Sequence, residues 1–142
     1  MRKSVAAFLL CAAGTLSAAE FPARPINLMV AYPAGGSTDV GARILAAIAE
    51  KIAGQSIVVV NKGGAGGQVG WTELSRHKPD GYNIGFINLP ALNTVILDPD
   101  RKAVFKIDSF TPIANQVLDP GAVWVKGDSQ YKTMKDLIEA AK

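Results

Sequence analysis

The 142 residues include one cysteine and one histidine, and charged side chains make up only 19% of the chain. A lone Cys11 supports neither a disulfide framework nor a cysteine-rich metal site, so the fold has to rest on its apolar core. His77 stands between Arg76 and Lys78, which reads as a solvated charged cluster. With no second histidine there is no His-Glu-x-x-His pair, and no Gly-x-Ser-x-Gly elbow occurs either. The formal charge of +3 includes Arg2 and Lys3; the remainder is too nearly neutral to argue for nucleic acid. Abundant instead are apolar residues, at 49%, together with 14 glycines and 8 prolines. That balance describes a compact body with many turns rather than a disordered chain.

The first 19 residues read as a secretory signal. Met1-Arg2-Lys3 is a basic start, Val5 to Leu16 is an uncharged apolar run, and Ser17-Ala18-Ala19 places small residues before Glu20. Cleavage after Ala19 is expected. The competing reading, an uncleaved anchor, is disfavoured because the run falls short of the ~20 residues that span a bilayer. Export without cysteine fits the bacterial periplasm.

Ile26 to Ala31 is a short apolar run behind Pro22 and Pro25 and reads as a buried strand. After a turn-rich loop, Val40, Ile44, Leu45, Ile48 and Ile52 recur at helical spacing until Gly54. They predict an amphipathic helix packed by its isoleucine stripe. Ser56 to Asn61 is β-branched and predicts a second buried strand, followed by a helix from Gln68 to His77 and a third strand from Tyr82 to Ile87. Strand, helix, strand, helix, strand implies an α/β layer with a parallel sheet and right-handed crossovers. Further on, Pro90 to Leu97 reads as a short helix, and Asp98 to Asp108 as a polar connection. Phe110 to Val117 and Gly121 to Val125 read as strands, and Thr133 caps a helix that runs to the last residue, as a truncated product would.

Two glycine-rich loops, Tyr32 to Asp39 and Lys62 to Gly67, each join a strand's carboxyl end to a helix's amino end. In a parallel sheet both fall on one edge, where open α/β sheets bind ligands. The amides of Gly35, Gly36 and Ser37, with those of Gly64 to Gly67, are then available to an anion, because a helix's first turn leaves its donors unpaired. A helix terminus contributes about 0.3–1 kcal/mol toward a negative charge. Each charge-assisted hydrogen bond adds about 1.5–3 kcal/mol, so four to six contacts suit a small carboxylate. Within either loop the only cation is Lys62, at its edge, and the P-loop's Gly-Lys-Ser/Thr ending is missing, which excludes a triphosphate. Asp39 is either a first-turn residue that stabilises the helix or a selector beside the anion. Ser37 and Thr38 are caps or ligand donors, Tyr32 packing or a wall of the site, and Asn88 an amide donor or a turn residue. The run Gly64 to Gly70 also approximates a dinucleotide fingerprint, but Val69 stands where glycine is needed and Asn88 where an acid would hold the ribose.

Pro25-Ile26, Tyr32-Pro33-Ala34-Gly35-Gly36-Ser37-Thr38-Asp39 with Ala42-Arg43, Asn61-Lys62 with Gly64-Ala65-Gly66-Gly67 and Gly70, and Lys78-Pro79-Asp80-Gly81-Tyr82 follow one another in order. Together they resemble the amino-terminal half of the Bug-type, or tripartite tricarboxylate transporter, substrate receptors. The resemblance covers Phe21 to Lys142. It implies a periplasmic-binding-protein-like lobe of the type II Venus flytrap class, truncated, with residues 1–19 as signal peptide, 20–117 as part of the first lobe and 118–142 as the start of the second. It also implies a small carboxylate as ligand, integral membrane permease subunits as partners, and no catalysis or cofactor. The site residues it implies are Ala34, Gly35, Gly36, Ser37, Thr38, Asp39, Gly66 and Gly67, with Tyr32 and Asn88 beside them. The alternatives are a dinucleotide-binding oxidoreductase fragment and a non-functional truncated gene product.

Overall fold

The computed structural model describes residues 20–118 and 121–142; the expected signal peptide lies outside the described residues. The described chain forms two compact units divided between Phe110 and Thr111. The first holds strands β1 (Ile26–Val30), β2 (Ile57–Asn61) and β3 (Asn83–Gly85) and helices α1 (Ser37–Ala53), α2 (Gln68–Leu74) and α3 (Ala91–Leu97). The second holds α4 (Met134–Ala140), whose N-cap Thr133 accepts from the Asp136 amide while the Asp136 carboxylate accepts from the Thr133 amide. Phe110 to Val117 and Gly121 to Val125 form no strand. Phe110 packs edge-on against Phe105, but Ile113, Val117, Val123, Trp124 and Val125 are exposed, Trp124 at 89%, and a strand needs a partner edge before its propensity counts.

The sheet is parallel, with strand order β2-β1-β3. β1 is central, and Leu28, Met29 and Val30 are buried on its two faces; burial of such side chains contributes about 1.5–3 kcal/mol each. The expectation of a second fully buried strand is corrected. β2 is an edge, so only Ile57 is buried and Val58 is 47% exposed.

Right-handed crossovers that run in opposite directions along the sheet carry α1 and α2 to opposite faces. On one face Ile26, Leu28, Val30 and Ile57 pack against Ala42 and Ala46 of α1. On the other, Trp71 of α2 joins Ala31, Leu92, Val95 and Phe105. Gly70 is what lets α2 come this close. A Cβ there would stand 2.8 Å from both the Ala31 Cα and the Lys62 carbonyl oxygen, nearer than real Cβ contacts allow.

The helix expected from Val40 to Gly54 is present, but its packing face is not the isoleucine stripe. Val40, Ile44, Leu45, Ile48 and Ile52 are 42–85% exposed, whereas Ala42 and Ala46 are buried. The small Ala42 and Ala46 side chains let α1 lie close against Ile26, Leu28 and Val30, in an interface packed to interior density. Placing leucine at Ala46 therefore overfills the interface and is expected to cost about 1–3 kcal/mol. Lysine at Ile52 is expected to change stability by no more than about 0.5 kcal/mol in this chain. Urea unfolding of Ala46→Leu and Ile52→Lys checks the assignment; a larger loss from Ile52→Lys would reverse it.

Candidate functional site

All three parallel strands end on one edge. After β1 the chain turns toward α1 on one face. After β3 it turns toward α3, which packs with Trp71 and Ala31 on the other. Neighbouring strands whose connections leave to opposite faces open a crevice between them, the usual ligand position of an open α/β sheet. The first loop and Asn88 flank that crevice: the Asn88 Nδ2 donates to the Thr38 Oγ1 at 3.3 Å. The Asn88 Oδ1 is buried and has no partner among the described residues.

The shape of the first loop comes from Asp39, in the first turn of α1. The loop itself is exposed from Pro33 to Ser37, while Asp39 is buried. The Asp39 Oδ2 accepts from the Gly35 amide at 2.8 Å and from the Arg43 Nε at 3.0 Å. Its Oδ1 accepts from the Asn61 Nδ2 at 2.9 Å and pairs with an Arg43 terminal nitrogen at 3.0 Å. Arg43 thus grips the carboxylate with a two-pronged fork, and its Nη2 donates on to the Asn61 Oδ1 at 3.1 Å. The Arg43 bond, then the Gly35 amide and the Asn61 amide, hold the Asp39 carboxyl down to about 2. Of the two readings of Asp39, its geometry is that of a residue that shapes the helix entrance, since its oxygens are committed to protein donors.

This curl leaves the helix entrance open. Gly36 is the N-cap with no side-chain cap, and its carbonyl accepts from the Val40 amide at 3.0 Å. The amides of Gly36, Ser37 and Thr38 have no partner among the described residues. Four peptide units at a helix's start are left without internal acceptors, and a 17-residue helix aligns its dipole behind them. The Gly35 amide, expected to be free, is taken by Asp39.

The second loop lies beside the first, with the Cβ position of Gly63 3.1 Å from the Pro33 ring. Some of its donors are spent. The Gly67 amide donates to the Gly64 carbonyl at 3.0 Å and the Gln68 amide to the Ala65 carbonyl. Gly67 has φ 101° and lies under the Trp71 ring, where a Cβ would stand 2.6 Å from the indole. Its glycine serves packing, whereas the amides of Gly63, Gly64, Ala65 and Gly66 have no partner among the described residues. Tyr32 stacks edge-on against Trp71, ring centroids 6.2 Å apart, and burial pushes its phenol pKa up. Tyr32 is thus packing behind the loops. Ala34 is exposed at the loop's tip.

Three residues that touch the loops had no site role in the sequence reading, although Arg43 and Asn61 stand in the motifs quoted for the family. Arg43 was legible, being four residues after Asp39 on one helix face. Asn61 and Arg101 were not, because they meet the loops only through the fold. Among the described residues no cluster of three metal-ligating side chains exists.

Because Asp39 is held below its ordinary 3.8, it stabilises the folded chain above that value, and the contribution disappears as pH falls through about 2. Asp39→Asn is expected to lower the urea midpoint near neutral pH and to flatten its decline in acid. Midpoints measured from pH 6 down to 2 test this; a variant with the parent's acid slope refutes it.

The model for the "Tripartite tricarboxylate transporter family receptor" matches residues 41–142. The UPF0065 protein of the gbd 5′ region from Cupriavidus necator is 37% identical over 128 residues, which is 87% of this chain and 37% of that protein. BugT of Bordetella pertussis is 46% identical over 72 residues, 51% of this chain and 22% of its own. The solved periplasmic binding protein BugD is 49% identical over 46% of this chain and 22% of its own, at a TM-score of 0.45. The chain spans less than two fifths of the length of these curated relatives. With more than half of its residues under the family's model, the chain belongs to the tripartite tricarboxylate transporter receptor family.

Proposed function

We propose that this chain supplies part of the first lobe of a periplasmic receptor for a small carboxylate, delivered to integral membrane permease subunits, and that it performs no chemistry. Residues 1–19 serve as the export signal, 20–117 belong to the first lobe and 118–142 begin the second. The observation that carries the reading is the trio of solvent-facing amides at Gly36, Ser37 and Thr38, set at the start of α1 with Asn88 alongside. Donors that converge without a side-chain acceptor select a negatively charged oxygen, and no Gly-Lys-Ser/Thr ending is present to hold a polyphosphate. Relatives agree in kind: one solved R. palustris protein, 33% identical over 46% of this chain and with a TM-score of 0.46, was crystallised with adipate. The binding residues proposed are Gly36, Ser37, Thr38, Gly66 and Asn88, with Ala34 at the rim and Gly35, Asp39, Tyr32 and Gly67 holding their shape.

Nothing favours a dinucleotide. The Gly67 amide is spent within its own loop, and the position that would hold a ribose is an asparagine paired with Thr38.

Titrating the isotope-labelled full chain with acetate, succinate and citrate, and separately with a nicotinamide dinucleotide, tests the proposal. The carboxylates are expected to move the amide resonances of Gly36, Ser37 and Thr38. Movement of these signals by the dinucleotide alone would overturn it.

A further inference from the structure

One segment, 88–101, crosses the whole carboxyl edge of the sheet. It begins at Asn88, against Thr38 in the first turn of α1. It runs through α3, whose Leu92 and Val95 are buried with Ala31 and Trp71, and it ends at Arg101 on the second loop. There the Arg101 Nη1 donates to the Ala65 carbonyl at 2.8 Å, and the Gln68 Nε2 donates back to the Arg101 carbonyl at 2.8 Å. The Arg101 Nε donates to the Asp98 Oδ2 at 3.3 Å, an oxygen of the residue that caps the turn Pro99–Arg101. The guanidinium lies within 3.5 Å of the Cβ position of Gly66. Its side chain stays 37% exposed, and its Nη2 has no partner among the described residues. The edge that sequence reasoning left without a cation beyond Lys62 thus has one, and Lys62 itself is turned away to Glu73 at 3.3 Å.

Building on the carboxylate reading, we propose that Arg101 is a binding residue of this edge. It takes a second carboxylate of the ligand beside the free Gly66 amide, and so selects acids with two or more carboxylates. Two observations separate this from a bracing role alone. The clasp to Ala65 uses one terminal nitrogen, and the Asp98 contact uses Nε, which leaves the remaining two-donor nitrogen at the solvent side. A guanidinium that only braced the loop would not need that nitrogen accessible, and a carboxylate prefers such a fixed pair of donors to a point charge.

Succinate and propionate, acids of similar size that differ by one carboxylate, are the probes for the full chain and for Arg101→Gln and Arg101→Lys. Succinate is expected to bind the parent about tenfold more tightly than propionate, one charge-assisted bond's worth. Arg101→Gln removes that preference and Arg101→Lys keeps part of it, although both variants lose the clasp and melt lower. In the parent, succinate and not propionate moves the Arg101 Nε–H resonance, a readout that stands even if a variant fails to fold. A preference for succinate that survives Arg101→Gln, or an Nε–H signal unmoved by succinate, overturns the proposal while the amide shifts at Gly36, Ser37 and Thr38 keep the carboxylate reading alive. Silence of those amides toward both acids overturns both.

Discussion

The Asp39 carboxylate ties together parts of the chain that have no other reason to meet. Its two oxygens collect a loop amide from Gly35, a side chain of its own helix from Arg43, and the amide of Asn61 at the end of β2. The Asn61 Nδ2 donates also to the Tyr32 carbonyl at 3.2 Å, so the end of β1 is drawn into the same knot. A carboxylate buried with four donors is stable only because every donor is there. The consequence for the site is indirect. By pulling the Gly35 amide inward, Asp39 turns the chain so that the next three amides face water. The proposed ligand-binding edge is therefore the reverse side of a saturated internal one.

The same logic orders the sheet. β1 is buried on both faces and must be central, and its neighbours then differ in how they are held. β2 continues the ladder past its end, with the Lys62 amide donating to the Val30 carbonyl. β3 is short, and the Phe86 amide donating to the Met29 carbonyl extends the contact by one residue. Because crossovers from β1 and β3 depart to opposite faces, the gap between them is forced by topology and not by any one side chain. Thr38 and Asn88 meet across that gap, 50 positions apart in sequence.

How much of this the sequence disclosed depends on range. The parallel α/β order, the spans of α1 and α3 and the cap of α4 rest on contacts within a few residues, and these were readable. The face that α1 buries was not. Hydrophobic periodicity marks which side chains prefer burial, but the sheet accepts only the alanine row, so Ile44, Ile48 and Ile52 stay exposed. Strands were expected from Phe110 to Val117 on apolar content alone, and they fail for want of a partner edge. At the site, the first loop was legible because glycine and a first-turn acid announce a helix entrance. The second loop was legible only in part. Its glycines look like an anion cradle, yet Gly67 is glycine because the Trp71 ring covers it, and Gly70 because Ala31 does. Arg101 carries no local signal at all, being placed by α3 across the edge.

These placements set how strongly such an edge holds an acid. The free amides of α1 are solvated, so exchanging water for a carboxylate oxygen returns only the net worth of each bond, about 0.5–1.5 kcal/mol for a neutral donor and more when the acceptor is charged. Three amides and one guanidinium edge, all open to water, must also offset the lost freedom of the ligand. Affinity therefore depends less on adding donors than on excluding water from those already present, since the same bonds strengthen in a low-dielectric enclosure. Any surface that closed over this edge would have to leave the Gly36, Ser37 and Thr38 amides to the ligand and still shut out solvent. That requirement explains why the loop carries glycine and small hydroxyl residues at its tip, where bulk would shield the donors from the acid as well as from water.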